Sequence, residues 1–434
     1  MTTADTKLGI FVEGTADFDT LLARLRRRGE TDLERVEPAV REILAAVQKE
    51  GDRALARFVE RFEKRTPKTF LSTDYGGKAA LDGLATPLRD ALIVAADRIR
   101  RFHEKQRESL VGFETEAGGV RLGTRVEPLR RVGVYAPGGK ARYPSSVLMS
   151  AVPAAVAGVK EIIVASPDTS PEVLAACHLA GVTAVLDAGG AQAIAALAYG
   201  TETVPRVDKI VGPGNVYVAA AKRLVFGEVG IDSIAGPSEI LVVADESADP
   251  AVVAADLLSQ AEHDEAAYPL LVTTSRALAE SVRAELDAQL QTLPRRAIAE
   301  ASIGAHGAAL VVASRERLAA VTNELAPEHV AVQTSAPREL AAAIAHAGAV
   351  FVGHQTPEAA GDYLAGPSHV LPTGGAARYA SPLGVYDFVS RSSVIEYGIE
   401  ALRVQGEPIA TFARAEGLEA HARAVEVRTR QKEG

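Results

Sequence analysis

Residues Val132–Ala165 read VGVYAPGGKARYPSSVLMSAVPAAVAGVKEIIVA, and this stretch decides the fold. A short apolar run, Val132–Tyr135, gives way to the Gly-rich turn Pro137-Gly138-Gly139. A helical stretch, Pro144–Gly158, then leads into a second apolar run, Glu161–Ala165. A parallel strand pair needs a crossover of this kind, and its strands read as unbroken apolar runs because helices cover both faces. Outward from here the alternation continues. Ala184–Ala188 and Ile210–Val211 are further strand-like runs, with helical patterns at Pro171–Ala180, Ala191–Tyr199 and Val216–Phe226. A second series follows: Glu239–Ala244, Pro269–Thr273, Ala309–Ala313, His329–Gln333 and Val350–Gly353. Together they predict an α/β protein with two mostly parallel sheets, their units meeting near Asp232–Pro237.

Towards the N-terminus the period changes. Val40, Ile43, Leu44 and Val47 lie at helical spacing, and Leu55, Phe58, Val59 and Phe62 repeat it after Gly51-Asp52. Pro38 suits the first turn of the first of these helices. Leu88, Leu92, Ala95, Ile99 and Phe102 mark another, with Arg98, Arg100, Arg101 and Lys105 on a solvated face. Beyond Glu358 the chain turns Gly- and Pro-rich and ends in a helix over Leu418–Arg428. A loop-rich stretch in a compact protein is more often functional than idle.

Composition narrows the class. The 434 residues predict about three domains, long enough to fold without a disulfide or structural metal. With 47% hydrophobic and 24% charged residues, collagen-like and disordered classes are excluded. A net charge of −9 gives no general reason to expect nucleic acid or an anionic membrane as partner. Cys177 is the single cysteine, so no intramolecular disulfide or CxxC pair exists. The start, MTTADTKLGIFVEGTADF, lacks a basic region followed by an apolar stretch. The most apolar tract, Val147–Val159, is too short for a bilayer and contains Pro153. The expectation is a cytoplasmic, soluble, multidomain protein.

Four segments hold chemistry-capable residues. Gln260 and His263 are three apart at a helix end, on one face, where His263 could equally cap carbonyls. Glu328-His329 follows the helix-ending Pro327 and enters a strand. Ligands of open parallel sheets sit outside the carboxyl ends of strands, so a pair at a strand's start is not obviously at such a site. Asp362 and His369 stand in the Gly- and Pro-rich stretch, where an acid and an imidazole could ligate zinc or merely form a turn. Glu416 and His421 are five apart and converge only if Gly417 breaks the helix. No HExxH or GxxxxGK[ST] occurs, against the commonest zinc proteases and P-loop enzymes. Gly212-Pro213-Gly214-Asn215 approaches a nucleotide-binding turn but lacks the third glycine, and an ordinary βα turn reads the same way.

Taken together, the chain resembles the histidinol dehydrogenase family. The resemblance is carried by YAPGGKARYPSSVLMSAVPAAVAGV, GGAQAIAALAYGTE, KIVGPGNVYVAAAK, GIDSIAGPSEILVVAD, ADLLSQAEHD, NELAPEHV, GDYLAGPSHVLPTGGAAR and EGLEAH, in family order. It spans about residue 30 to residue 425, and the first thirty residues match poorly. It implies zinc ligands at Gln260, His263, Asp362 and His421, one zinc per subunit. It implies Glu328 and His329 as the catalytic pair, and NAD contacts at Tyr135, Gln192 and Asn215. Substrate contacts would fall on Ser238, Gln260, His263, His329, Asp362, His369, Glu416 and His421.

The resemblance further implies oxidation of L-histidinol to L-histidinaldehyde and then L-histidine, the last steps of histidine biosynthesis, with two NAD reduced in turn. Zinc would position the substrate, His329 would take the hydroxyl proton, and Glu328 would activate water for the second oxidation. Cys177 sits in a helical pattern, so a hydrate is favoured over a thioester intermediate. The implied architecture is two α/β domains like incomplete Rossmann units with small terminal elements. The expected divisions are an N-terminal element at 1–28, a helical segment 29–120 packing with 237–380, a cofactor domain at 121–236, and a C-terminal arm at 381–434. That arm would reach the partner's site in a homodimer with a shared active site. The rival readings are a paralogous dehydrogenase of another amino or hydroxy alcohol, and a zinc hydrolase with Glu328 as water base.

Overall fold

The computed structural model describes residues 8–28, 33–138 and 143–430. It divides into two units, one formed by residues up to 105 with 129–388, the other by 106–128 with 389 onward. In the larger unit, six parallel strands run in the order Gly9–Val12, Ala308–Val311, Tyr268–Thr273, Glu239–Ala244, His329–Gln333, Ala349–Val352. Every residue of Glu239–Ala244 and His329–Gln333 is buried, as unbroken apolar runs require of strands covered on both faces. One face packs Leu257, Leu258, Val282 and Leu286, the other Phe18, Leu22, Leu318 and Leu325. The chain order reverses on either side of Glu239–Ala244, whose neighbours are Tyr268–Thr273 and His329–Gln333.

The second sheet runs Leu71–Ser72, Ala184–Leu186, Glu161–Ala165, Arg131–Tyr135, Lys209–Val211, Gly230–Ile231, with only the first strand antiparallel. Its chain order reverses between Arg131–Tyr135 and Lys209–Val211. The helix Pro144–Ala157 is buried almost all round, which explains why the most apolar tract is a core helix. The α/β class with mostly parallel, helix-flanked sheets is what the sequence predicts.

The divisions differ in four places. Of the element expected at 1–28, the described residues 8–28 are not separate, because Gly9–Val12 is the edge strand of the first sheet and Phe18, Leu21, Leu22 and Leu25 line its core. The helices Leu33–Glu50 and Asp52–Glu63 pack with the second sheet, not with 237–380: Val40, Ile43, Leu44, Leu55 and Phe58 share a core with Tyr135, Ile194, Leu197 and Val218. An amphipathic stripe says that a helix docks but not where. Pro38 lies inside the first of these helices rather than in its first turn, since the described helix already begins at Leu33. Lastly, Phe113–Ala117, Val120–Pro128 and Val389–Tyr397 form an antiparallel sheet in the smaller unit. Residues 121–128 therefore leave the domain expected at 121–236, and residues 389–429 are regular: that strand leads into the helices Ile399–Ala415 and Glu419–Thr429.

Candidate active site

The first cluster gathers at the amino edge of the first sheet. Glu328 and His329 open one central strand and Glu239 opens its neighbour, in a register that sets Ile240 opposite His329. Asp249 caps the helix Pro250–Ala261 by accepting from Ala251 N–H (2.9 Å), with Pro250 at its first position. Its 12 residues span about 18 Å. The preceding strand of 6 residues spans about 20 Å. The helix end, with Gln260 and then His263, thus returns level with the strand's start. A third element, Glu358–Tyr363, supplies Glu358 and, one turn on, Asp362.

Hydrogen bonds fix what each group can do. His329 Nδ1 donates to the Glu239 carbonyl (2.9 Å), and its Nε2 lies 3.5 Å from Glu358 Oε1. Glu328 Oε2 accepts from Glu239 N–H (2.8 Å). Glu358 accepts from Ser259 Oγ (2.9 Å) and from Gln260 Nε2 (2.7 Å). A carboxylate only accepts, so the Gln260 amide must turn its NH2 towards Glu358. Gln260 Oε1 is then left buried with no partner, a costly state unless something binds it. His369 Nδ1 sits 3.6 Å from Asp362 Oδ1. Donor atoms of His329, Glu358 and Asp362 all lie within 4.8 Å of one another, a group able to hold a metal ion.

The electrostatics point the same way. Burial opposes charge on His329, but Glu328, Glu358 and Asp362 outweigh it and push the ring up to about 10. Burial and the Asp362 charge push Glu358 up to about 7. Burial would raise Asp362, yet the hydrogen bond and charge of His369, with His329 and His263, hold it below the carboxylate range. Burial keeps His263 below the usual imidazole value, against the pull of Asp362 and Glu328. Carboxylates crowded round imidazoles in a dry site are short of positive charge, and a divalent cation would supply it. The orphaned amide oxygen and the N/O donor set both fit zinc.

The second site lies at the carboxyl edge of the second sheet, where its strand order reverses. A cavity of about 800 Å³ is lined there by Tyr135, Gly189, Gln192, Asn215 and Tyr217, with Glu63 contributed by the helix Asp52–Glu63. Tyr135 Oη accepts from Gly190 N–H (3.0 Å), and Gln192 Nε2 donates to Glu63 Oε1 (3.2 Å). Asn215 Oδ1 caps the next helix by accepting from Tyr217 and Val218 N–H (3.0 and 3.2 Å). The turn needs glycine at 212: φ is +108°, and a Cβ would stand 2.3 Å from the Tyr135 carbonyl oxygen. Asp232 accepts from Gly212 N–H (2.8 Å), and buried Lys222 donates to the Gly212 carbonyl (2.9 Å). The volume suits a dinucleotide. Of the Pro137-Gly138-Gly139 turn, Gly138 lines this cavity and Gly139 lies outside the described residues.

The larger unit therefore brings together Gln260, His263, Glu328, His329, Asp362 and His369, with Ser238 preceding Glu239, and separately Tyr135, Gln192 and Asn215. Glu416 and His421 belong to the smaller unit. There Gly417 (φ +75°) breaks the helix after Ala415, and His421 falls in the first turn of the next. Sequence reading missed Glu358, although its spacing to Asp362 is a helical signal. It also missed Glu239 and Glu63, for which only an acid flanking an apolar segment could have served.

The larger unit is an α/β structure of two mostly parallel sheets, with an N/O metal-capable centre on one and a nucleotide-sized cavity on the other. The family model described as histidinol dehydrogenase matches residues 26–429. A histidinol dehydrogenase of Syntrophotalea carbinolica is 52% identical over 95% of this chain and 97% of its own. One from Lactiplantibacillus plantarum is 50% identical over 94% and 96%. The crystal structure of histidinol dehydrogenase from Elizabethkingia anophelis superposes with a TM-score of 0.90, at 34% identity and 98% coverage of both chains. This chain belongs to the histidinol dehydrogenase family. It is accordingly an oxidoreductase of histidine biosynthesis.

Proposed function

We propose that the protein oxidises L-histidinol through L-histidinaldehyde to L-histidine, reducing two NAD, with zinc held by Gln260, His263, Asp362 and His421. The observation that carries the chemistry is the buried, unpartnered Gln260 Oε1 in one cluster with Asp362 and the Glu328–His329 pair. Glu358 is placed behind the Gln260 amide rather than among the ligands, because it accepts the Gln260 Nε2–H bond that turns Oε1 outward. His329 is kept out because the first oxidation needs a base. When bound, zinc would anchor the substrate's nitrogens and supply the positive charge this cluster lacks.

The charge of a bound cation would offset the carboxylates that hold His329 protonated, so that in the first oxidation the ring is neutral with Nδ1–H on the Glu239 carbonyl. Nε2 is therefore the atom that takes the hydroxyl proton as the carbinol carbon gives its hydride to NAD. In the second, Glu328 draws a proton from water as its oxygen adds to the aldehyde. Glu328 Oε2 already accepts from Glu239 N–H, so Oε1 is the oxygen for this task. The ionised hydrate so formed gives a second hydride to NAD, and the resulting carboxylic acid loses its remaining proton to solvent and leaves as the carboxylate. Burial pushes the Cys177 thiol up to about 12, which supports a hydrate over a thioester route. Tyr135, Gln192 and Asn215 would hold NAD in the second-sheet cavity.

A homodimer with a shared site is supported by apolar side chains left exposed on the smaller unit, among them Val404 (79%), Phe412 (70%) and Ile395 (67%). Among the described residues no helix is long and apolar enough to cross a membrane, and we place the enzyme in the cytoplasm. The family match and the cavity beside Gln192 and Asn215 favour the dehydrogenase over a zinc hydrolase, which needs no nucleotide site. The deciding measurement is NADH formed per histidinol consumed. Two is expected; a yield of one would sink the four-electron reaction.

A further inference from the structure

We propose that Glu239, held in place by Arg28, is the positioning residue for both catalytic side chains; this rests on the reading of Glu328 and His329 given above. Glu239 meets the pair through its main chain and its side chain at once. Its N–H donates to Glu328 Oε2 (2.8 Å), and its carbonyl accepts from His329 Nδ1 (2.9 Å). Its carboxylate accepts from Glu328 N–H through Oε2 (3.3 Å) and from Gly374 N–H through Oε1 (2.7 Å). One residue thus fixes the rotamer of Glu328, the ring orientation and tautomer of His329, and the start of the strand that carries them. It also pins the Gly374-Gly375 turn, where φ is +61° and +80°.

Arg28 partners this carboxylate in a dry place. Nη2 of Arg28 donates to Glu239 Oε2 (2.8 Å), and both side chains are about 1% exposed. The same guanidinium donates to the carbonyls of Leu325 (2.7 Å) and Leu25 (2.9 Å), in the last turns of two helices. Helix C-termini carry partial negative charge, so the cation is held from three sides. Stability alone does not account for such a pair, since well-packed apolar residues often replace a buried ion pair without loss. What apolar residues cannot supply is an acceptor for the N–H groups of Glu328 and Gly374. Positioning is therefore the function that singles out this pair.

The test uses the zinc-loaded enzyme and two variants, Glu239→Gln and the double variant Arg28→Met/Glu239→Leu. The single variant leaves Arg28 without its counter-charge and should melt lower. The double variant removes both charges and should melt near the wild type, which keeps the test valid if the single one unfolds. In the folded variants kcat should fall about 10- to 100-fold, the usual cost of losing a group that orients the reacting ones. KM for NAD, NADH affinity by fluorescence titration and zinc content should stay within about twofold, because Glu239 touches neither the cavity nor the proposed ligands. A double variant that melts normally with kcat within twofold of wild type would overturn the proposal. So would a kcat that recovers in step with melting temperature. Glu328→Gln and His329→Asn are the controls in the wild-type background: should both keep full kcat, it is the catalytic reading that fails, whatever the Glu239 variants do.

Discussion

Replacing Glu358 with Gln separates two readings of the metal-capable group. In the proposed site Glu358 does not bind the metal; it orients the Gln260 amide so that Oε1 faces the ion, through a 2.7 Å bond from Nε2. Hydrogen bonds to a charged group contribute about 1.5–3 kcal/mol and neutral ones about 0.5–1.5 kcal/mol. The substitution keeps an acceptor but removes its charge, so about 1–1.5 kcal/mol of orientation is lost. At about 1.4 kcal/mol per tenfold, zinc affinity should fall roughly tenfold. The lost negative charge beside the cation adds in the same direction, which makes tenfold a floor and about a hundredfold the usual ceiling for such partners. The assay is competition between enzyme and a chelator of known zinc affinity, read at equilibrium for wild type and Glu358→Gln. If Glu358 were itself a ligand with His329 and Asp362, affinity should collapse by far more than a hundredfold. An affinity within twofold of wild type would refute the orienting role as well.

Cys177→Ala should keep most histidinol oxidation in steady-state assays, because its buried thiol is pushed up to about 12; complete loss in a folded variant would reject the hydrate route. Glu328→Gln should damage aldehyde oxidation more than alcohol oxidation, and equal losses in separately assayed half-reactions would remove its assignment to water. Mixing His263→Ala with His421→Ala subunits should give heterodimers with about half the wild-type activity, since one of two shared sites is then intact; no recovery would confine each arm to its own chain. Asp256, on the helix that carries Gln260, is pushed by burial from 3.8 up to about 6. The folded form then binds the extra proton, so the stability this group contributes is complete below about pH 4 and is lost as pH rises through 6, about 3 kcal/mol in all. Asp256→Asn should accordingly raise the melting temperature at pH 8 and leave it unchanged at pH 3.5, and an equal effect at both would contradict the assignment.

The sheets and the place of the second-sheet cavity were legible because they obey rules that act locally. Strands buried on both faces must be unbroken apolar runs, and each such run from Val132 to Gly353 is a strand within one or two residues of its expected limits. Tyr135 and Asn215 follow or end strands at the carboxyl edge, the usual place for a ligand at a reversal of strand order. In the smaller unit the last helix was legible, expected over Leu418–Arg428 and found at Glu419–Thr429, but the sheet was not. Val389–Tyr397 is largely exposed and mixes polar with apolar residues, so it lacks the periodicity that marks a core strand. Its partner Val120–Pro128 lies far away in sequence, and nothing local announces the pairing.

The proposed catalytic cluster lay between these cases, and the reason is geometric. Spacing placed Glu328-His329 at a strand's start, the edge where parallel sheets seldom bind ligands, and read that position as a point against function. The structure keeps the position and gathers Gln260, Glu358 and Asp362 around it. A helix that follows a strand runs back along it, and here helix and strand have nearly equal lengths, so Gln260 and His263 arrive beside the amino ends of the central strands. Two features of this edge make it suited to catalysis. Burial of whole strands leaves their first residues dry, so Glu239 and Glu328 meet in a medium where hydrogen bonds are strong. Parallel register then sets the main-chain groups of Glu239 beside Glu328 and His329 with no further device. Such a site is visible in the sequence as residue types and spacing. Its convergence depends on the matched lengths of elements, which only the folded chain displays.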